Sequence, residues 1–182
     1  QQHRRASRAS ASRGKQRIGE QRPLPAGMVE QVPHQDGAGV IDAVGPQVDP
    51  ARVGQRVWIW EAARERPRGT AQQYTLVPDR QAVALPAHAP FDIGAALGVP
   101  ALTAHHALTV HDGGPGLIAP GTLQGTTVLV AGGAGAAGNA AVQLARWAGA
   151  CVITTVSSPA KAARWPPKGP WWPTTRAART SS

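Results

Sequence analysis

The chain has 182 residues, 42% hydrophobic and 16% charged, which is enough apolar surface for a core and too little charge for a disordered polyelectrolyte. At about 150 residues per domain it accommodates one domain and a fragment of another. The formal charge of +9 suggests a polyanion partner until it is located: residues 33–160 carry seven Arg and eight acids, a net of −1, and the two ends hold the excess.

The middle of the chain therefore offers no basic face for a duplex, and nucleic acid is not the expected partner. Cys151 is the single cysteine, so one chain can form neither a disulfide nor a CxxC site; a reducing compartment, the cytoplasm, is the expected location. No apolar run approaches the ~20 residues of a membrane span, and no membrane partner is expected. Residues 3–17 are Arg- and Ser-rich without acids, as transit peptides are, but lack the large apolar residues of an amphipathic face.

Residues 1–32 show neither period 2 nor period 3.6 and read as unstructured. From Gly39 short strands alternate with turn residues: GVIDAV at 39–44, QRVWIW at 55–60, QQYTLVP at 72–78 and AVALP at 82–86, a spacing that suits a small β-barrel or sandwich. Two helices follow, 91–97 and 101–110, separated by Pro100, whose ring ends one helix and opens the next. Residues 111–125 are a Gly- and Pro-rich linker. Val128, Leu129 and Val130 then read as a fully buried strand, 136–148 as a helix stopped by Gly149, 151–156 as a second strand and 159–164 as a further helix. Beyond it, Trp165, Trp171 and Trp172 stand among four prolines, where no regular element persists.

The strand-loop-helix-strand unit carries the chemistry. Gly133, Ala134, Gly135, Ala136, Ala137 and Gly138 satisfy GxGxxG directly after a strand and at the start of a helix, the setting of the dinucleotide fingerprint. Gly133 is expected to permit the tight turn, Gly135 to let the backbone approach a pyrophosphate, and Gly138 to let the helix pack closely. Helix N–H groups and the positive dipole end bind the phosphates. An NAD site places an acid about 20 residues on; here Ser157 and Ser158 occupy that place, with Lys161 and Arg164 beyond, which suits the 2′-phosphate of NADPH. Ordinary surface charges at a helix start remain the plainer reading of the same residues. No GxxxxGK[ST] loop and no GxSxG elbow is present, and His105, His106 and His111 lack the i, i+4 spacing of a metal pair, so they read as surface or packed side chains. EAARERPR, at 61–68, reads as a solvated loop.

Four ordered segments, HQDGAGVIDAVGPQVDPARVGQRVWIW (34–60), GTAQQYTLVP (69–78), DIGAALGVPALTAHHAL (92–108) and the fingerprint, resemble medium-chain dehydrogenases/reductases, and among them the zeta-crystallin-like NADPH:quinone oxidoreductases. The resemblance runs over about residues 33–163. It implies an α/β fold with a β-rich part: a partial GroES-like β-barrel domain at 33–110, the linker, and the first half of a Rossmann NADP-binding domain at 126–164. Residues 1–32 and 165–182 are expected to be foreign to the family, with the composition of a shifted reading frame in GC-rich DNA.

The same resemblance implies NADPH in a cleft, hydride delivery to a quinone or similar electron-poor carbonyl or alkene, and a homodimer in complete members. It assigns the phosphate loop to 132–138, including Gly132, the 2′-phosphate region to Ser157, Ser158 and Lys161, and the threonine beside the nicotinamide to Thr103. Zinc-dependent relatives carry Gly-His-Glu where this chain has His34, Gln35 and Asp36; with Gln35 at the ligand position and one cysteine, the zinc-free branch is expected, and no metal site. No general acid or base is assigned. A catalytically inactive dinucleotide-binding module, or one whose basic tails contact nucleic acid, is the alternative.

Overall fold

The computed structural model describes residues 3–7, 27 and 31–163. The chain divides into two compact units, Gln1–Val99 and Pro100–Ser182. The expectations for the C-terminal tail, and for most of 1–32, lie outside the described residues.

The first unit is built on five antiparallel strands: β1 His3–Ser7, β2 Gly37–Ala43, β3 Arg56–Ile59, β4 Tyr74–Pro78 and β5 Ala82–Ala84, in the order β4-β1-β2-β3-β5. Strands β2 to β5 lie within two residues of their expected ends at every boundary. Their alternation explains why. Val57 and Ile59 of β3 and Val77 of β4 point inward to join Ile41, Ala62 and Ala82 in one buried cluster, while Tyr74 and Leu76 stay exposed.

Strand β1 corrects the expectation of no regular structure before residue 33. HRRAS has no apolar alternation to announce a strand, yet its backbone pairs with β4 from His3↔Pro78 to Ser7↔Tyr74 and with β2 on the other side. Main-chain N–H and C=O groups form the ladder whatever side chains they carry.

Residues 32–36 and 61–71 are sewn together by backbone bonds. Val32 donates to Pro67 (2.8 Å), Gly69 to Val32 (2.8 Å), Thr70 to His34 (3.1 Å) and Ala62 to Gln35 (2.8 Å). The 61–68 segment is thus a loop, but not a freely solvated one: Ala62 is fully buried, and Arg66 reaches the Glu61 carbonyl (2.9 Å) and the buried Gln81 side chain. Close approach dictates Gly69, since a Cβ there would lie 2.1 Å from the His34 carbonyl oxygen.

Helix α1, Phe91–Thr109, spans both expected helices with a break at Gly98 (φ −32, ψ −106). Pro100 cannot donate to the turn before it, which fits a break at this point. In the second unit, β6 Thr127–Val130 and β7 Cys151–Thr154 pair in parallel, connected through α2 Ala136–Trp147, and α3 Pro159–Ala163 follows. Val130 and Val152 face Val142, Ala145 and Ala148 of the α2 region in the core.

Two further expectations change here. Strand β6 is covered on one face only, so Leu129 is 69% exposed and its register partner Ile153 43%, rather than fully buried. The 111–125 stretch is not a free linker, because Ile118 and Leu123 enter the same core as Leu108 and so belong with the second unit.

His34 holds φ +77, a left-handed conformation that a Cβ makes unfavourable by about 1–2 kcal/mol. His34→Gly is expected to raise stability by about 0.5–1 kcal/mol after the extra unfolded-state entropy of glycine, measured by urea unfolding.

Candidate cofactor-binding site

The glycine loop fills the crossover from β6 to α2. Gly132 carries the positive φ of the turn (+70), so the tight-turn role expected of Gly133 falls one residue earlier. Gly133 is buried for a different reason: a Cβ would sit 1.9 Å from Thr154 Oγ1. At Gly138 a Cβ would come within 2.4 Å of the Gly132 carbonyl oxygen, so the first turn of α2 lies on the loop itself. Gly135 differs from all three. It caps α2 in extended backbone (φ −81, ψ 166), and a Cβ there would meet only the Gly132 carbonyl oxygen, at 3.3 Å.

As N-cap, Gly135 supplies no side-chain oxygen, so the first-turn N–H groups of α2 have no side-chain partner. Ala134, Gly135, Ala136 and Ala137 are all exposed around that end. The helix start therefore presents unsatisfied donors and a positive dipole end to solvent, an arrangement suited to phosphate oxygens.

Past β7, Lys161 Nζ donates to Ser157 Oγ (2.8 Å), and Ser158 accepts the Lys161 backbone N–H through its carbonyl (3.1 Å) and its Oγ (3.3 Å). One cation and one hydroxyl are thus brought together on an exposed corner, and Ser158 opens α3. Thr103 lies exposed on α1. The histidines are not gathered: His105 Nε2 accepts from Ile118 N–H (3.4 Å), His111 Nδ1 lies 3.2 Å from the Asp112 carbonyl, and His106 is exposed.

A family model for the alcohol dehydrogenase GroES-like domain matches residues 8–87. That match covers four of the five antiparallel strands, β2 to β5, and precedes the glycine loop, in the order of a two-domain dehydrogenase. Over the matched residues the chain is similar to medium-chain dehydrogenases/reductases. The match begins at residue 8, ahead of the motifs quoted from the sequence, which start at His34.

Among relatives, a quinone oxidoreductase from Lama guanicoe is 37% identical over 114 residues, covering 63% of this chain and 31% of its own length. A 2-methylene-furan-3-one reductase from Solanum lycopersicum is 34% identical over 144 residues, covering 76% of this chain and 34% of its own length. The crystal structure of Escherichia coli quinone oxidoreductase complexed with NADPH superposes with a TM-score of 0.56 at 28% identity, over 71% of this chain and 36% of that one. The chain spans about a third of the length of the curated relatives it matches.

Gln35 is the residue that the sequence resemblance sets at a zinc-ligand position. Here its Oε1 accepts the Ala63 N–H (3.0 Å) and its carbonyl the Ala62 N–H, so it serves the 61–71 loop. Among the described residues no group of three or more His, Cys, Asp or Glu is placed to hold a metal ion. No helix among them is long and apolar enough to cross a membrane.

Sequence reasoning missed the next residue. Asp36 Oδ2 accepts the Val99 N–H (2.9 Å), and a Cβ on Gly98 would lie 2.1 Å from Oδ1, so this carboxyl fits into the break of α1. Burial pushes its pKa above the ordinary Asp value, with a smaller push from the Glu61 charge, against the bonds it accepts from the Val99 and Glu61 backbone. Between the ordinary and the raised value the folded state holds a proton that the unfolded chain has released. Stability from this group is complete at acid pH and is lost as pH rises through the raised value. Asp36→Asn removes the charge and keeps an acceptor for Val99. As pH rises above the ordinary Asp value the variant should gain stability relative to the parent, and keep it at higher pH, as followed by urea unfolding at several pH values.

Proposed function

We propose that this chain carries the cofactor-holding core of a zinc-independent, NADPH-dependent oxidoreductase acting on a quinone or a similar electron-poor carbonyl or alkene. The observation that carries the reading is the exposed, uncapped start of α2 beside Gly135, the one loop glycine that the fold itself barely requires. A pyrophosphate fits there, because the donors it needs are free of side-chain partners and no Cβ blocks the approach. The Lys161–Ser157 pair supplies a cation and a hydroxyl for a 2′-phosphate, and no carboxylate stands among Ser157, Ser158 and Lys161 to repel one. Thr103 is assigned to the nicotinamide end.

When bound, NADPH supplies the hydride; the chain's residues bind and orient it. Phosphates are held by the uncapped N–H groups of the first turn of α2, which the 132–135 turn presents, and the adenosine 2′-phosphate by Lys161 with Ser157 and Ser158. The names of the relatives favour quinones and conjugated carbonyl compounds as acceptors, and the NADPH complex of the Escherichia coli enzyme favours the phosphorylated cofactor. The domain reading accompanies this proposal: a GroES-like catalytic part, then the opening half of a dinucleotide-binding domain.

Titration with NADPH, followed by the change in nucleotide fluorescence, tests the reading. Gly135→Val should abolish the change while leaving the melting temperature nearly as it was, since the new side chain occupies phosphate space and touches little of the protein. Binding unchanged in that variant would count against the fingerprint. Lys161→Ala should weaken NADPH by about 1.5–3 kcal/mol, the range for a charged hydrogen bond, and leave NADH nearly unaffected. Equal weakening of both nucleotides would remove the case for a 2′-phosphate. Salt-sensitive polyanion binding without any nucleotide response would favour the inactive alternative.

A further inference from the structure

The N–H groups at the start of the glycine loop are not aimed at a ligand. Gly132 N–H donates to Thr155 Oγ1 (3.3 Å), and Gly133 N–H donates to the Thr155 carbonyl (3.0 Å). Thr155 N–H in turn donates to the Val130 carbonyl (3.1 Å), so the residue after β7 bridges the end of β6 to the first two residues of the loop. Its neighbour Thr154 is buried, with Oγ1 donating to the same Val130 carbonyl (3.0 Å), and that oxygen occupies the place of the missing Gly133 Cβ. Two successive threonines thus meet two successive glycines, one through hydrogen bonds and one through close packing.

We infer that Thr155 is a positioning residue for the phosphate loop, and that its hydroxyl holds Gly132 in the left-handed conformation from which the later loop N–H groups project. The reasoning is an inventory of donors. Gly132 and Gly133 give their N–H groups to Thr155, and Gly135 gives its own to the Gly132 carbonyl (2.8 Å), which draws the chain into a turn leading to the uncapped helix start. Without the hydroxyl, Gly132 N–H loses its partner and the turn is tied at one point fewer. A glycine with positive φ has many other conformations open to it, so an external tie matters more there than at a residue with a side chain. The role in nucleotide affinity rests on the dinucleotide reading above, whereas the tie itself does not.

The test uses the full chain with Thr155→Val and Thr155→Ser. Valine keeps the β-branched shape and removes the hydroxyl; serine restores the hydroxyl without the methyl. Amide exchange at Gly132, followed by NMR on 15N-labelled protein, should quicken about fivefold or more in the valine variant and return toward the parent rate in the serine variant, with Tm nearly equal in all three. NADPH affinity should fall about fivefold in the valine variant and recover in the serine variant. Unchanged exchange at Gly132 in Thr155→Val overturns the inference, as does unchanged NADPH affinity in a chain that binds the nucleotide. Faster exchange in a chain whose parent binds no NADPH would uphold the tie and overturn the dinucleotide reading instead.

Discussion

Space for a Cβ is the constraint on which the second unit depends. Between β6 and α2 the backbone turns back on itself so tightly that Gly138 lies against the Gly132 carbonyl and Gly133 against Thr154 Oγ1, at separations that any side chain would violate. The close approach lets α2 begin immediately beyond the end of β6, with Val142 and Ala145 packed over Val130 and Val152. Move the loop outward by one methyl group and the helix loses part of the burial that stabilises the pair of strands, at about 25 cal/mol for each Å² exposed. The uncapped helix start has a separate cause, a glycine at the N-cap position 135, which supplies no side-chain oxygen.

The first unit relies on a different means, polar ties between loops. Residues 32–36 and 61–71 share at least four backbone bonds, with Thr70 Oγ1 donating to the Asp36 carbonyl besides. Three residues there, His34, Glu61 and Glu65, hold positive φ values that are unfavourable for residues with a Cβ. Such strain persists only where the surroundings over-determine the conformation, and the density of bonds supplies that condition. Asp36 belongs to the same arrangement: its carboxylate enters the break at Gly98, where desolvation opposes the charge while the Val99 N–H favours it. Glycine at 98 is required by that carboxylate, since a side chain would collide with it.

What the sequence discloses follows from how local each cause is. Strands β2 to β5, α2 and β7 are legible because period-2 alternation and the GxGxxG spacing are written in consecutive residues. Strand β1 is not, because HRRAS is held by main-chain pairing with β2 and β4, elements more than thirty residues away in sequence. Leu129 looked like a core residue because an aliphatic run says nothing of how many faces a strand has covered; its exposure follows from pairing with β7 and cover by α2 on one side only. The 111–125 stretch shows the converse case, with isolated Ile118 and Leu123 among glycines and prolines supplying core contacts that no periodicity reveals. Asp36 carries no local signal of its role, since its partner Val99 stands sixty-three residues further on.

The four loop glycines also separate what a fold needs from what a ligand needs. Gly132 is glycine because of its φ, and Gly133 and Gly138 because neighbouring protein atoms occupy the space of a Cβ. Those three would be required if the chain bound nothing. Gly135 has extended backbone that any residue adopts, faces solvent, and lacks the capping oxygen that Ser, Thr, Asn or Asp would supply at this position. Replacing glycine by one of those residues at an N-cap stabilises a helix by only a few tenths of a kcal/mol, so helix stability exerts weak pressure for change. A requirement from outside the polypeptide remains the simplest physical account of a glycine there. The proposed phosphate on the first-turn donors would supply it, because a capping oxygen would compete for the same N–H groups and the side chain would fill the same volume.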